Sequence, residues 1–270
     1  MQVVAIQLDS VWENKDASHQ RVLELIEPHL GQIEPNSLIV LPEMFDTGFS
    51  MKTEKTCQSE ARESEEFLKR LAKQTTCAVL AGVASPRLPN QIPEGDTGSP
   101  ALNHAVAFSP AGEELVRYQK MQPFSVTREE DYYGRGNQHH LFQWQGVTIS
   151  PFICFDLRFP EIFRPATADG AELIIVIACW PTSRSEHWVR LLQARAIENQ
   201  AVVVGVNRCG QEPHLVYDGR SSGFDEMGKC LFELDDQEQI RIVDIDIGAV
   251  RRWRQKFPGL DQMRTVSLGN

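Results

Sequence analysis

No apolar run in this 270-residue chain approaches the ~20 residues that cross a bilayer. The opening segment, Met1-Gln2-Val3-Val4-Ala5-Ile6-Gln7, lacks the basic stretch of a secretion signal and reads as a first strand. Positive charge is scarce: 27 Lys and Arg stand against 37 Asp and Glu, a net charge of −10. That balance argues against a general nucleic-acid partner, because phosphate contacts need clustered basic residues. It leaves room for a local basic patch and an anionic substrate. The six cysteines (57, 77, 154, 179, 209 and 230) include no CxxC pair and no Cys/His cluster of zinc-finger spacing, so no metal is expected. Four of them, 77, 154, 179 and 209, lie in or beside apolar runs, as reduced core thiols do, and the chain is expected to be cytoplasmic. A GxSxG elbow, an HExxH pair and a P-loop lysine motif are all missing. So are internal repeats and obvious linkers, and one domain over residues 1–270 is expected.

What is present is an alternation of strand-like and helix-like segments. Apolar runs recur at Val3–Leu8, Leu38–Leu41, Ala78–Ala84, His104–Phe108, Val147–Ile153, Leu173–Ala178, Ala201–Asn207 and Ile240–Ile245. Several are continuous and rich in Val and Ile, which suits strands buried on both faces. Helical spacing marks Ser18–Leu30, Ser59–Gln74 and Glu186–Gln200, the last carrying Trp188, Leu191, Leu192 and Ile197. Turn residues at Ser109-Pro110-Ala111-Gly112 and Asp225-Glu226-Met227-Gly228 predict hairpins. Helical crossovers and hairpins together predict an α/β (α+β) layered fold with mixed sheets. Ser85–Pro100, rich in Pro and Gly, reads as a long surface loop.

Three charged or nucleophilic residues follow apolar runs directly, the end of a strand at which α/β proteins handle ligands. Glu43 follows Leu38–Pro42, Lys120 follows Leu115–Gln119, and Cys154 follows Val147–Ile153. Taken singly, each has a plain structural role: a turn carboxylate, a surface lysine, a core thiol. Taken together they are a base, a cation and a nucleophile, the parts of a thiol acyl-transfer site. A carboxylate in the apolar setting of Glu43 suits general acid–base work, and a fixed cation at Lys120 would stabilise an oxyanion. The charged loop Thr127–Asp131 offers Glu129 or Glu130 as a further acid, and composition does not choose between them. His139 and His140 read as surface residues, and His187 as a packed or hydrogen-bonded one.

The segments Leu41-Pro42-Glu43-Met44-Phe45, Tyr118-Gln119-Lys120 and Cys154-Phe155-Asp156-Leu157-Arg158-Phe159-Pro160-Glu161 resemble, in order and spacing, the carbon–nitrogen hydrolase, or nitrilase, superfamily. Asn103, Gly112-Glu113, Arg195–Gln200 and Gly219-Arg220-Ser221 add to the resemblance. It implies a four-layer α-β-β-α sandwich and a Glu43–Lys120–Cys154 triad working through a thioester. Lys120 and the backbone N–H of Phe155 would hold the oxyanion, and Glu129, aligned through Asn137, would position substrate. No cofactor is implied. A homodimer or higher homo-oligomer is, with Glu186–Gln200 and the C-terminal segment as contact elements. Ala178-Cys179-Trp180-Pro181, Arg184, Trp188, Asn207-Arg208 and Lys256-Phe257-Pro258 resemble the ω-amidase branch, whose members act on α-keto acid amides such as α-ketoglutaramate. Arg158, Trp180 and Arg184 then become the expected substrate-binding residues. A carbamoyl amine, a deaminated-glutathione-type amide or a nitrile are alternative substrates for the same triad, and a catalytically silent binding protein is the alternative from another class. Two positions depart from the family pattern: Cys179, where Asn is usual, and Phe155, where Tyr is frequent.

Overall fold

The computed structural model describes residues 1–87 and 98–263. Its strands, in chain order, are β1 (Gln2–Gln7), β2 (Leu38–Val40), β3 (Ala78–Pro86), β4 (Ala101–Phe108), β5 (Glu114–Gln119), β6 (Tyr133–Gly134), β7 (Phe142–Trp144), β8 (Val147–Ile153), β9 (Leu173–Ala178), β10 (Val202–Asn207), β11 (Cys209–Gln211), β12 (Val216–Asp218), β13 (Ser222–Phe224), β14 (Cys230–Glu233) and β15 (Gln239–Asp244). The helices are α1 (Lys15–Ile26), α2 (Thr53–Thr56), α3 (Glu63–Thr75), α4 (Pro160–Ala168), α5 (Ser185–Asn199) and α6 (Ile247–Lys256).

Two mixed sheets form. The first has the order β15-β1-β2-β3-β4-β5, with β6 added beside β4. Its central strands β1, β2 and β3 are parallel, and β4, β5 and β15 pair antiparallel. The second has the order β14-β13-β10-β9-β8-β7, parallel through β8, β9 and β10 and antiparallel at both edges.

The continuous apolar runs explain the layering. Successive side chains on a strand point to opposite faces. In β1, Val3 and Ala5 join the core between the sheets, while Val4 and Ile6 pack with Val22, Phe67, Leu68 and Leu71 of α1 and α3. The second sheet is covered on its outer side by Ile162, Phe163 and Ala166 of α4 and by Trp188, Leu192 and Ala196 of α5. The result is the α-β-β-α sandwich. Each fully buried Val, Ile or Leu contributes roughly 1.5–3 kcal/mol, so a polar residue is tolerated in these layers only where it finds partners.

Helix boundaries moved for identifiable reasons. Asn14 caps α1 by accepting from Ala17 N at 3.1 Å, so the helix starts before Ser18, and Pro28 follows as the chain turns into a 3-10 segment at Glu27–Gln32. Helix α5 buries Trp188, Leu192 and Ala196, a strict four-residue repeat, which leaves Ile197 53% exposed rather than on the apolar face. Helix α4 escaped the sequence reading because Pro160 and Pro165 both sit within its nine residues. Both expected hairpins are present, with Gly112 and Gly228 in the left-handed region that glycine tolerates. The expected loop Ser85–Pro100 begins late, because Ser85 and Pro86 still belong to β3, and residues 88–97 lie outside the described residues. Among the described residues no helix is long and apolar enough to cross a membrane.

Candidate active site

Cys154 leaves β8 with φ +46°, a left-handed backbone that costs a non-glycine residue energy. The turn Cys154–Arg158 is held in place by Asp156, which is completely buried. Its Oδ2 accepts from Ile153 N at 2.9 Å and from the Tyr118 hydroxyl at 2.7 Å, and its Oδ1 accepts from Gln122 N at 2.8 Å. These bonds join the thiol's turn to β5 and to the segment just past Lys120. Burial pushes the Asp156 carboxyl up to about 7, against the opposing bonds from Tyr118 and Ile153.

Glu43 lies three residues beyond β2, where the chain stays stitched to β3. Leu41 N donates to Leu80 O at 2.9 Å, Gly82 N to Pro42 O at 3.0 Å, and Phe45 N to Gly82 O at 3.2 Å. Gly82 permits this approach: a Cβ there would fall 2.5 Å from the Cα of Glu43. Lys120 follows β5, and its N–H donates to Asn103 O at 2.9 Å.

The side chains from these three strand ends converge. Lys120 Nζ donates to Glu43 Oε1 at 2.8 Å and to Glu129 Oε1 and Oε2 at 3.0 and 2.8 Å. Asn103 Nδ2 bridges the same two carboxylates, at 2.8 Å to Glu43 Oε1 and 3.1 Å to Glu129 Oε1. Backbone N–H groups complete the shell: Cys179 N to Glu43 Oε2 at 2.8 Å and Phe124 N to Glu129 Oε2 at 2.6 Å. Glu43, Glu129, Asn103 and Lys120 are each buried to within 1% of completeness. Burial opposes the ammonium of Lys120, but Glu129 and Glu43 outweigh it and hold the group well above its ordinary range. Burial raises Glu129, the Glu43 charge adds to this, and Lys120 pulls it back. The Cys154 Sγ lies 3.8 Å from the carbonyl oxygen of Cys179. The thiol is held well above its ordinary range by burial first and by the Glu43 charge second, with Lys120 opposing. The resting sulfur is therefore a neutral thiol beside a buried carboxylate.

Above Cys154 the site opens into a narrow cleft walled by Phe49, Phe124, Phe155, Trp180, Pro181 and Leu215, with Cys179 at its floor and Arg158 and Arg184 at its rim. Arg158 lies 4.8 Å over the Trp180 ring, and its Nη2 donates to His187 Nδ1 at 3.1 Å. Arg184 lies 5.1 Å over the Phe124 ring. Neither guanidinium has a carboxylate partner among the described residues. Burial lowers Arg158 and the neighbouring Arg184 charge adds to the effect. A wider depression bounded by Gln58, Arg62, His104 and Arg117 lies elsewhere. Its arginines are already paired with Glu65.

The residues that the sequence offered for catalysis and substrate binding lie together at one site or its rim: Glu43, Lys120, Cys154, Glu129, Phe155, Arg158, Trp180 and Arg184. The choice between adjacent acids falls on Glu129, because the 3-10 turn Glu129–Asp131 buries it and leaves Glu130 exposed. His187 is exposed and hydrogen-bonded to Arg158. His139 and His140 are half-buried rather than free surface residues, in an irregular segment before β7, and His139 Nε2 meets Asp169 Oδ2 at 2.8 Å. Sequence reasoning gave no chemical part to Asn103, to the Cys179 N–H, or to Phe49 and Phe124. For Asn103 the only signal was the family resemblance, since it is the third residue of β4 and stands beside another polar residue, His104. For the others there was none.

Comparison with known proteins agrees with this geometry. The family model for carbon-nitrogen hydrolases matches residues 2–255. Omega-amidase YafV of Escherichia coli is 32% identical over 261 residues, covering 96% of this chain and 94% of that protein. The 2-oxoglutaramate amidase of Bacillus subtilis is 31% identical over 228 residues, covering 84% and 85%. Among solved structures, a CN-hydrolase superfamily protein from Xanthomonas campestris with an arsenic adduct in its active site superposes with a TM-score of 0.88 at 26% identity, over 100% of this chain and 99% of that one. A thiol, a lysine and a carboxylate at three strand ends of an α-β-β-α sandwich, together with a family match over nearly all of the sequence, place this chain in the carbon–nitrogen hydrolase family.

Proposed function

We propose that this enzyme hydrolyses the terminal amide of a small carboxylate-bearing substrate, an α-keto acid amide of the α-ketoglutaramate or α-ketosuccinamate type, through a thioester on Cys154. In this reading Glu43 takes the thiol proton as the sulfur attacks the amide carbon. Lys120 Nζ and the Phe155 N–H receive the oxyanion, and Glu129 fixes Lys120 and the substrate amide. Glu43 returns the proton to the departing amine, so ammonia leaves. The same carboxylate then deprotonates a water, which attacks the thioester and frees the acid.

The observation that carries the reaction class is the Glu43 carboxylate, bonded by Lys120, Asn103 and the Cys179 N–H while it faces the neutral thiol. A base held by three donors cannot swing away, and a thiol that must not ionise early needs its base adjacent. The substrate class is supported by the rim. Two guanidiniums without carboxylate partners among the described residues form a receptor for a carboxylate, since arginine binds such groups by paired, charge-assisted hydrogen bonds. The names of the Escherichia coli and Bacillus subtilis relatives point the same way.

Ammonia release from α-ketoglutaramate, α-ketosuccinamate, glutamine, a carbamoyl amine and an aliphatic nitrile tests the proposal. The α-keto amides are expected to dominate. Arg184→Gln should raise KM for them by about 10–100-fold, the equivalent of one lost charged hydrogen bond of roughly 1.5–3 kcal/mol, while leaving a neutral short-chain amide nearly unaffected. Equal effects on charged and neutral amides would remove the rim from substrate recognition. Release from the nitrile or carbamoyl amine alone would replace the substrate class.

A further inference from the structure

Cys179 is the one thiol lining the cleft to which the reaction above gives no side-chain part. Strands β8 and β9 run parallel with Ile153 opposite Ile177. Cys154 and Cys179 are the first residues past the ends of these two strands. The thiol of Cys154 is already turned to this neighbour, with its Sγ 3.8 Å from the carbonyl oxygen of Cys179. The thiol of Cys179 donates to the backbone oxygen of Glu43 at 3.2 Å, a weak bond that a rotamer change releases. Both sulfurs border the same cleft, and Cys179 also meets Glu43 through its N–H and its thiol.

We propose that Cys154 and Cys179 form a reversible disulfide when a hydroperoxide enters the cleft. Cys154 Sγ gives its proton to Glu43 and attacks a peroxide oxygen. The O–O bond breaks, the departing oxygen takes up that proton, and Cys154 becomes a sulfenic acid. Cys179 Sγ then attacks that sulfur. The S–O bond breaks, the S–S bond forms, and the released hydroxide leaves as water with the Cys179 proton. Two thiols are oxidised and one hydroperoxide is reduced, with hydrogen peroxide yielding two waters. The bridge ties up the sulfur that would attack an amide. It also keeps Cys154 from further oxidation to a sulfinic acid, a product thiols do not reverse. The loss of activity rests on the reading of Cys154 as nucleophile, whereas formation of the bond does not.

The experiment treats dilute full-length protein with hydrogen peroxide and follows peptide maps, intact mass and amide hydrolysis, each sample scaled to its own untreated rate. Wild type should give a Cys154–Cys179 linked peptide, a mass lower by two hydrogens, and near-complete loss of activity that dithiothreitol restores. Cys179→Ser should give no linked peptide and should gain two oxygens on Cys154, with a loss that dithiothreitol does not restore. A wild type that gains two oxygens on Cys154 as fast as the variant, with no linked peptide, overturns the proposal. A linked peptide in a fully active protein would support the disulfide and overturn the assignment of Cys154 as nucleophile, so the two readings fail separately.

Discussion

Lys120→Met tests the charge logic of the site more directly than removal of the thiol. Methionine keeps the apolar stem of lysine out to Cε and deletes the cation. In the wild type that cation serves two completely buried carboxylates, at 2.8 Å to Glu43 and 2.8 Å to Glu129. Breaking a buried pair by removing one partner costs about 3–5 kcal/mol, and kcat should fall by on the order of 10²-fold or more with loss of an oxyanion donor. The sign of the pH dependence is the sharper test. Burial and the Glu43 charge already raise Glu129, and Lys120 is the leading influence holding it down. Without Lys120 the folded protein keeps a proton on Glu129 that the unfolded chain releases near the ordinary glutamate value of about 4.3. A carboxyl raised in the folded state contributes stability that is present below the unfolded value and lost as pH rises through the folded one. The variant should therefore lose stability with rising pH above about 4.3, at up to about 1.4 kcal/mol per pH unit for one proton, more steeply than wild type. Urea denaturation of both proteins between pH 5 and pH 8, together with kcat, measures this. Parallel stability curves would refute the claim that Lys120 sets the protonation of Glu129.

Three further substitutions probe the remaining parts. Cys154→Ala should abolish turnover with an unchanged Tm, and the ultraviolet difference from wild type should show no thiolate up to pH 9.0, the ordinary thiol value, because burial and Glu43 hold the thiol above it; a thiolate band at neutral pH would contradict the neutral resting sulfur. Asn103→Leu removes a donor shared by Glu43 and Glu129 and should lower kcat by about 10–100-fold with little change in KM, at roughly 1.5–3 kcal/mol per charged bond; a lower Tm with unchanged kcat would make Asn103 purely structural. Gly82→Ala places a Cβ 2.5 Å from the Glu43 Cα and 2.6 Å from Met44 N, both backbone atoms that cannot rotate aside. It should displace the base and cut kcat even where the protein still folds, and full activity would show that the chain after β2 yields without cost.

How much of this was legible in the sequence depends on what kind of group does the work. Glu43, Lys120 and Cys154 stood out because each follows a strand-like run directly; β2 and β8 are buried almost throughout, whereas β5 before Lys120 buries only Val116 and Tyr118. The helices with four-residue apolar repeats, α1, α3 and α5, were legible from that spacing. Helix α4 was hidden by two prolines that local propensity counts against a helix, although Pro160 sits in the first turn, where a missing N–H costs nothing. Helix α6 was hidden by charge, since only Ile247 and Val250 are buried in it. Glu129 and Glu130 differ by one position, and only the direction of a turn entered through Arg128, at φ +55°, decides which is buried beside Lys120.

The groups that hold the two carboxylates are illegible for a deeper reason. The Cys179 and Phe124 N–H groups that hold Glu43 and Glu129 are backbone atoms, which any residue but proline supplies, so no side-chain code marks them. What places them is the register of β9 and the path after Lys120, and register is a property of whole strands. The sequence leaves its trace one step removed, in residues whose size rather than chemistry is constrained. Gly82 is such a residue: it does nothing to a substrate, but the backbone of Glu43 lies where its side chain would be. Asn103 is the intermediate case, a side chain whose amide reaches both carboxylates while its buried Oδ1 has no partner among the described residues. A buried acceptor left unmatched is costly, and the two charged bonds made by the other end of the same amide offset that cost. The strand therefore keeps a polar group that packing alone would reject, one that the sequence marked only through the family resemblance.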